Sequence, residues 1–290
     1  MIIIKLQGGL GNQLFQYAAY SKLNEKYKVY FDVGEYNLPY DNGYRKFYLN
    51  YFTQKVIPNL CIFTDSRKEI LCRKLLLPKL KVFRNSVKEN LKALKILDER
   101  TFSDDLSEIT DNTYIESYFM DERFFSKSFK DSINFSNKIH RLFSKNQYYS
   151  QIQNSNSVAV HIRRTDYLTN PNFKDICTSE YYKKAISYFN RKYPDSNFIF
   201  FSDDINWAID QFGISSNHIY IKNDSSNDST MRDLYLMSHC KNIIMANSSF
   251  SWWAAYLNKN QEKIVVHPEK YQNNSDTVFY SSSWLNIKSL

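Results

Sequence analysis

Short apolar runs alternate with helical patterns throughout the second half of the chain, and this alternation constrains the fold more than any other feature. The runs are rich in Val, Ile and Phe, which favour strands, and each is too short to be a buried helix. Strands separated by helices cannot pair as hairpins, so the pattern predicts a parallel sheet covered by helices. The predicted strands are 157–162, 197–201, 218–221, 242–245 and 263–267, and the predicted helices are 179–193, 204–212, 229–240 and 249–258.

The first half of the chain opens on the same plan. A short apolar run at 2–6 leads through a glycine-rich turn into a predicted helix at 13–27 and a second predicted strand at 28–33. This order is typical of the start of a doubly wound α/β domain. Residues 35–110 carry three prolines and no clear period, and 113–119 favours another strand.

A polar run at 150–157, rich in Asn, Gln and Ser, is the predicted linker. The sequence therefore predicts an α/β fold of two Rossmann-like domains, residues 1–150 and 151–290. The first domain is expected to carry a partly helical, basic insertion around 60–110.

Composition narrows the class of protein. Hydrophobic residues make up 43% of the chain and aromatic residues 17%, which excludes global disorder because such a chain can fill a core. The four cysteines lie far apart without a CxxC pair, so neither a zinc site nor a disulfide framework is indicated. The sequence shows no signal-peptide pattern and no run near the ~20 apolar residues that span a bilayer. We therefore expect a soluble, cytoplasmic protein.

The net charge of +8 is concentrated in one segment. Residues 67–95 contain ten basic residues and two acidic ones, so this basic segment carries a charge equal to that of the whole chain. One interpretation is a solvated helical face. The other is peripheral contact with the inner face of the cell membrane, or with a lipid diphosphate. A nucleic-acid partner is disfavoured, because the aromatic residues follow no RRM, KH or OB pattern.

Three of the six glycines, Gly8, Gly9 and Gly11, lie in the turn after the first strand. Glycine lets backbone amides approach a ligand, and the start of a helix adds unpaired N–H groups. The third glycine of a GxGxxG fingerprint is missing and no GK[ST] follows, so neither dinucleotide nor P-loop binding is indicated. The side-chain amides of Asn12 and Gln13 are able to contact a hydroxylated substrate. The alternative is a tight turn without a ligand.

The predicted strand 157–162 ends in two adjacent arginines, Arg163 and Arg164, with Asp166 close behind. Two arginines cannot stay inside a sheet, so they emerge at its C-terminal edge, where α/β sheets bind ligands. Alternation sends them to opposite sides, so one can face a phosphate, which the planar guanidinium suits, while the other pairs with Asp166. The alternative is a structural salt bridge between Arg164 and Asp166.

Polar residues also follow the strand 197–201, in the order Ser202, Asp203, Asp204. Adjacent carboxylates suggest a metal, but DxD, the usual spacing for a metal-bound nucleotide sugar, occurs nowhere in the chain. Contacts to ligand hydroxyls or to a base, or simple capping of the next helix, are the better interpretations.

After the strand 242–245, hydroxyl groups open an aromatic helix. Ser248 and Ser249 can cap that helix, and the same hydroxyls and amides can hold a phosphate. Trp252 and Trp253 are predicted to lie in the core. Upstream, Thr230 and Asp233 fit a capping box.

Taken together and in this order, the motifs resemble the α-1,2-fucosyltransferases of bacterial glycan synthesis. The matching stretches are GGLGNQLFQYA at 8–18, HIRRTD at 161–166, FSDD at 201–204 and NSSFSWW at 247–253. The resemblance implies a GT-B fold whose two Rossmann-like domains face a central cleft. It also implies GDP-β-L-fucose as donor, no metal or other cofactor, and inverting transfer to the 2-hydroxyl of a galactose-terminated glycan, free or lipid-linked.

The resemblance also implies roles for individual residues. Arg163, with His161 beside it, would clamp the β-phosphate, and Ser248 and Ser249 would hold the diphosphate. Asp233, fifteen residues before Ser248, stands where related α-1,6 enzymes bind guanine with a carboxylate. The further expected donor contacts are Arg164, Ser202, Asp203, Asn247 and Phe250, Asn12 would lie near the reacting hydroxyl, and Gly9, Gly11 and Gln13 would form a loop near the sugar and phosphate.

The chain departs from the α-1,6 enzymes at one point. Those enzymes continue HxRRxD with a lysine and a glutamate that act on the acceptor, and here Tyr167 and Pro171 stand at these positions. The identity of the general base is therefore open between Asp166 and Asp175. The rival functions are another GT-B transferase with a different GDP-sugar or linkage, and a non-catalytic nucleotide-sugar or nucleic-acid binding protein.

Overall fold

The computed structural model divides the chain into two compact units, Met1–Asn50 with Gln54–Ser132, and Tyr51–Thr53 with Ile133–Leu290. The basic segment 67–95 and the expected insertion around it lie outside the described residues, except for short strands. The structure describes residues 2–33, 36, 39–40, 43–44, 46–52, 60–61, 95–97, 106–222, 228–273 and 279–289.

The first unit contains a five-stranded parallel sheet in the order β5-β2-β1-β7-β6 and a small antiparallel pair, β3-β4. Three consecutive isoleucines of the central strand are fully buried, as expected for a strand covered on both faces. The elements are β1 (Ile2–Lys5), α1 (Leu10–Leu23), β2 (Val29–Asp32), β3 (Pro39–Tyr40), β4 (Gly43–Tyr44), β5 (Leu60–Cys61), β6 (Lys95–Leu97), β7 (Thr113–Ile115) and α2 (Phe129–Ser132).

The second unit contains a six-stranded parallel sheet in the order β10-β9-β8-β11-β12-β13. In chain order this is the 3-2-1-4-5-6 arrangement of a Rossmann sheet, with the direction of winding reversed between β8 and β11. The elements are α3 (Asn137–Phe143), α4 (Gln147–Gln153), β8 (Asn156–Ile162), α5 (Ser179–Lys192), β9 (Ser196–Ser202), α6 (Ile205–Phe212), β10 (His218–Tyr220), α7 (Ser229–His239), β11 (Asn242–Ile244), α8 (Ser249–Leu257), β12 (Val265–His267) and β13 (Leu285–Asn286).

The helices of the second unit follow from local sequence. Helix α5 begins where the Thr178 hydroxyl accepts from the Tyr181 amide, a standard N-cap, and it ends just before Pro194. Its buried residues, among them Tyr182, Ala185 and Phe189, recur at helical spacing and pack with β8 and β9. The predicted core position of Trp252 and Trp253 is confirmed, since both are buried in α8.

Several boundaries differ from the sequence prediction, among them the end of α1, at Leu23 and not 27, and the end of β7, at Ile115 and not 119. The polar run 150–157 is not a loop, because it forms the end of α4 and the start of β8, and its Ile152 and Ser157 are buried. Its Asn, Gln and Ser residues lie mostly on the outside of regular elements. Helix α1 begins at Leu10, three residues earlier than predicted, because Gly11 is accommodated in the first turn.

Residues 51–53 belong to the second unit although they lie within the first half of the chain. The Tyr51 hydroxyl donates to Asp228 Oδ1 at 2.8 Å, and the Tyr51 carbonyl accepts from the Ser136 amide at 2.9 Å. Phe52 forms an antiparallel bridge with Phe135, and the two rings stack with centroids 5.4 Å apart. A short excursion of the chain is therefore built into the second unit.

Within the described ranges, no helix combines the length and hydropathy needed to cross a membrane.

Candidate functional site

The polar motifs of the second half converge at the carboxyl edge of the six-stranded sheet. Strands β8 and β9 pair in register, with Ile162 opposite Ser202, and β11 lies on the other side of β8. Residues that follow β8, β9 and β11 therefore emerge side by side where the winding reverses. In open α/β sheets this crevice is the usual place for a ligand.

Arg163 and Arg164 leave β8 toward different partners. Arg163 contacts Asp166 Oδ1 through Nε at 2.9 Å and Nη2 at 2.8 Å, and reaches Asp203 Oδ2 through Nη1 at 3.2 Å. The side chain of Arg163 is 37% exposed, against 22% for Arg164. Arg163 is therefore the arginine better placed to meet a ligand. Asp166 binds Arg163 and not Arg164. The alternative of an Arg164–Asp166 salt bridge is therefore wrong, and so is the expected division in which the arginine turned away from the ligand pairs with Asp166.

Arg164 is held on the side of α6. Its Nε lies 3.2 Å from Asp204 Oδ2, and its guanidinium carbon lies 4.0 Å from the centre of the Trp207 ring. A cation over an indole face is stabilised by the ring quadrupole. This contact and the ion pair give Arg164 a structural partner on each side.

The carboxylates after β9 organise the same edge. Asp203 accepts from the Arg164 backbone amide at 2.9 Å and from the Thr165 hydroxyl at 2.6 Å. Asp204 caps α6 by accepting from the Trp207 amide at 3.1 Å, while its own amide donates to Ser202 Oγ. The capping expected after Ser202 is therefore provided by Asp204, whereas contacts of Ser202 and Asp203 with a ligand stay a prediction.

His161 is a buried, neutral imidazole. Its ring faces Phe250 with centroids 5.6 Å apart, and among the described residues its Nδ1 has no hydrogen-bond partner. Burial, with the charge of Arg163 nearby, lowers the pKa of His161 to about 3. At neutral pH the ring therefore carries one N–H donor and one acceptor, and it does not serve as an imidazolium acid.

Helix α8 begins directly after β11. The Ser248 hydroxyl accepts from the Phe250 amide at 3.3 Å, which confirms the predicted cap. The amide nitrogen of Asn247, a residue that is 1% exposed, donates to the carbonyls of Phe173 at 3.3 Å and Tyr271 at 3.0 Å. The side-chain amide nitrogen of Asn247 is therefore used within the protein, and the expected contact of Asn247 with the donor stays a prediction.

Asp233 lies on α7, where it forms an ion pair with Arg232 at 2.9 Å. Arg232 is buried and also donates to the Lys222 carbonyl at 3.1 Å. The predicted capping box is wrong, because α7 begins at Ser229, so that Thr230 lies inside the helix. The residue at the N-cap, Asp228, makes no side-chain cap, and its carboxylate accepts from Tyr51.

The glycine turn of the first unit, residues 7–12, has a different construction. Gly8 has φ +79°, a conformation that L side chains rarely adopt, and a Cβ there would collide with the Asn12 amide group. Gly9 is the exposed N-cap of α1 and provides no capping side chain. Gly11 lies in the first turn of the helix, and Asn12 is half-buried.

Two glutamines of α1 hold this turn together. Gln13 donates to the carbonyls of Gly8 at 3.3 Å and Lys46 at 3.0 Å, and accepts from the Tyr48 amide at 2.8 Å. Because Gln13 is fully buried and its amide is used in these bonds, the expectation that it contacts a ligand is corrected.

The second glutamine, Gln16, is a structural residue that was not predicted from the sequence. Its side chain donates to the carbonyls of Lys5 at 3.1 Å and Ser117 at 3.2 Å, and accepts from the Gln7 amide at 3.1 Å. It thereby bridges the segments that leave β1 and β7, which are neighbours in the sheet. The available signal was a polar residue among the mostly apolar residues on the buried side of α1.

Comparison with known proteins places this architecture in a family. The model of the family described as "Glycosyl transferase family 11" matches residues 1–288, nearly the whole chain. The chain belongs to this family. It is accordingly a glycosyltransferase.

Two curated relatives from Escherichia coli match this family 11 chain over nearly their full lengths. The O-antigen biosynthesis glycosyltransferase WbnK is 33% identical and is covered to 99%, with 97% of the present chain. An alpha-1,2-colitosyltransferase is 29% identical and is covered to 91%, with 92% of the present chain.

A solved structure is similar in fold. POFUT1 in complex with GDP-fucose superposes with a TM-score of 0.51 and 12% identity, covering 93% of this chain and 98% of that one. The expected GT-B architecture, with parallel sheets and helices in two Rossmann-like units, is confirmed.

The site of this family 11 chain is thus partly assembled as the sequence predicted. The second unit brings together ten of the expected residues at the ends of β8, β9 and β11, and it carries Asp233 on α7. The ten residues are His161, Arg163, Arg164, Asp166, Ser202, Asp203, Asn247, Ser248, Ser249 and Phe250. The first unit carries Gly9, Gly11, Asn12 and Gln13 in one turn. No group of three or more His, Cys, Asp or Glu residues in the described part of the chain is arranged to hold a metal ion.

Proposed function

We propose that this glycosyltransferase moves L-fucose from GDP-β-L-fucose to the 2-hydroxyl of a galactose residue, with inversion, in the synthesis of a surface glycan. The observation that carries the proposal is the half-exposed Arg163 at the winding reversal of a Rossmann sheet, beside the start of α8. The α-1,2 linkage is supported by the E. coli colitosyltransferase, the surface glycan by WbnK, and the donor by the fold shared with POFUT1. Galactose is the acceptor that the sequence motifs imply.

In the proposed reaction, Arg163 stabilises the leaving group. Negative charge grows on the β-phosphate as the bond to the sugar breaks, and a preorganised cation there is worth roughly 3–4 kcal/mol of the barrier. Asp166 and Asp203 hold the guanidinium in one orientation before the donor arrives. Little reorganisation is then needed at the moment of reaction.

The start of α8 would hold the diphosphate. Amide groups in the first turn of a helix attract anions, and the hydroxyls of Ser248 and Ser249 add donors. His161 lies beside this position against Phe250, and as a neutral ring it can donate a hydrogen bond without adding charge.

Asp233 would bind the guanine base. A carboxylate can accept from the two N–H groups on one edge of guanine, and the neighbouring Arg232 orients it. The choice of GDP over UDP would then depend on α7. Asp203 binds the backbone amide of Arg164 and the hydroxyl of Thr165, and Arg164 binds Asp204 and Trp207. Because these contacts hold the turn after β8 in place, we propose that Asp203 and Arg164 contribute to donor binding indirectly.

The acceptor hydroxyl loses its proton late in the reaction. We propose that Asn12 orients this hydroxyl and that a carboxylate or a phosphate oxygen takes the proton. Asp166 already accepts from Arg163, and Asp175 is exposed with φ +61°, so neither is singled out as the base.

The rival donor is GDP-colitose, which the E. coli colitosyltransferase brings into consideration. Colitose lacks the 3-hydroxyl of fucose, so a site that hydrogen-bonds this hydroxyl would reject it strongly.

The test has two parts. Thermal shifts are measured with GDP, UDP, GDP-fucose and short RNA, and transfer is then measured from GDP-fucose and GDP-colitose to a panel of β-galactosides, with and without EDTA. The proposal expects stabilisation by GDP but not UDP or RNA, and EDTA-insensitive transfer of fucose. Faster transfer from GDP-colitose than from GDP-fucose would mean that GDP-colitose is the donor. Stabilisation by RNA alone would overturn the proposal, and activity lost to EDTA and restored by Mn²⁺ would contradict the expected metal independence.

A further inference from the structure

The loop that follows β8, residues 165–175, is held down by an aromatic stack. The rings of Tyr167 and Phe173 stack with centroids 4.7 Å apart and planes at 16°. Tyr271 meets the edge of Phe173 at 5.7 Å and stacks in turn on Phe279 at 3.9 Å. The stack connects the loop to the segment after β12.

Hydrogen bonds fix the same two segments to each other. The buried amide of Asn247 donates to the carbonyls of Phe173 and Tyr271, so one side chain fixes the backbone beneath two rings of the stack. The side chain of Asn273 donates to the carbonyls of Pro171 and Lys174, and its backbone amide donates to the carbonyl of Asn172. The loop is therefore tied down at several points along its length.

Tyr167, the ring at one end of this stack, lies next to Arg163. The guanidinium carbon of Arg163 lies 5.7 Å from the centre of the Tyr167 ring, whereas Asp166 and Asp203 bind its nitrogens. The carboxylates fix where the guanidinium donates, and the ring limits how it can tilt. Burial raises the pKa of Tyr167 to about 12, so at neutral pH the ring adds no charge to the site.

We propose that Asn247, Phe173 and Tyr167 are positioning residues that hold the Arg163 guanidinium where the donor phosphate meets it. This inference rests on the proposed function, and it explains how the Arg163 guanidinium is oriented. Asn247 is also the residue directly before the Ser248 cap, so the same backbone sets both the arginine and the start of α8. The Arg163 guanidinium and the start of α8, which together form the proposed phosphate site, are thereby held at a fixed distance from each other.

The test compares two stacks of the same geometry. Tyr220 stacks on Phe200 at 4.6 Å and 16°, on the edge strand β10, and it provides a matched control for Phe173. Phe173→Leu is expected to lower kcat roughly 10- to 100-fold with little change in the acceptor KM, because a misplacement of about 1 Å has such an effect. Phe173→Tyr, which keeps the ring, is expected to restore kcat to within about threefold of wild type. Tyr220→Leu should leave kcat close to wild type at a comparable loss in Tm.

A double-mutant cycle separates positioning from general destabilisation. If Phe173 acts through Arg163, Phe173→Leu should lower kcat little further in an Arg163→Ala background. Tyr167→Leu, at the end of the stack next to Arg163, repeats the measurement if Phe173→Leu does not fold. Equal losses in Phe173→Leu and Tyr220→Leu, or the full loss persisting without Arg163, would overturn the inference. A wild-type protein that neither binds GDP nor transfers fucose would overturn the proposed function itself.

Discussion

Strands β1 and β8 each open a parallel sheet, yet the turns that follow them are held by different forces. After β1, neutral amides of Gln13 and Gln16 bind backbone carbonyls, and Gly8 supplies a left-handed residue. After β8, two arginines and three carboxylates form a network of ion pairs. The first turn depends on shape and buried hydrogen bonds, whereas the second depends on charge. Substitutions and pH should therefore affect them differently.

The largest effect is expected from the charged turn and should appear in catalysis. Arg163→Ala is expected to lower kcat at least about 100-fold, because in the proposed reaction this arginine is the preorganised cation that stabilises the leaving phosphate. Its free energy of unfolding should change little, since half-exposed ion pairs contribute modestly. Steady-state kinetics and urea unfolding measure the two quantities, with Arg191→Ala on the exposed face of α5 as the control. Near-normal turnover in Arg163→Ala would show that Arg163 does not stabilise the leaving phosphate.

The neutral turn should respond in the opposite way, with a loss of stability. Gln16→Leu leaves the Gln7 amide and two carbonyls without their buried partner, which is expected to cost about 3 kcal/mol of unfolding free energy. The matched control is Gln153→Leu, since this glutamine is also helical but exposed and makes one bond, to the His239 carbonyl. Urea unfolding of both variants makes the comparison. Equal losses would show that burial of the amide is not what stabilises the turn.

Much of the second unit could be predicted because each of its elements carries its own signal. The four predicted helices there agree with the structure to within a residue or so at each end, since periodicity and caps such as Thr178 mark them. The misses have a common cause. Gln16 is buried, and Asp228 stands at the N-cap of α7 where Thr230 was expected, and each of the two binds a partner far away in sequence, Ser117 and Tyr51 respectively. A single sequence contains the residue types but not these partners.

A smaller effect tests the backbone geometry of the neutral turn. Gly8→Ser is expected to lower the unfolding free energy by roughly 1–2 kcal/mol, because φ is +79° there and the new Cβ meets Asn12. Gly9→Ser should change it by less than about 0.5 kcal/mol or raise it, since the space is open and serine is a good N-cap. Urea unfolding of the pair gives the difference. A larger loss at Gly9 than at Gly8 would contradict this account of the turn.

The smallest expected effect is the pH dependence contributed by His161, at the end of β8. Its folded-state pKa is lowered to about 3, so the unfolded chain takes up the proton first as pH falls below about 6.5. This contribution to stability is therefore present above about pH 6.5 and is lost as pH falls from there toward the folded-state pKa, by roughly 1 kcal/mol at pH 5.5. Unfolding free energies at pH 7.5 and 5.5 should differ less in His161→Gln than in wild type. An unchanged slope would mean that the imidazole has the same pKa in the folded and unfolded protein.

The excursion of residues 51–53 into the second unit has a consequence for how this enzyme can be divided or recombined. A fragment of residues 133–290 would contain every strand of the six-stranded sheet, yet it would lack the hydroxyl that binds Asp228 and the ring that stacks on Phe135. The folding unit is therefore discontinuous along the gene. Exchanges of the C-terminal half between relatives should carry 51–53 as a second, short insert, because a single crossover would separate the half from three of its own residues.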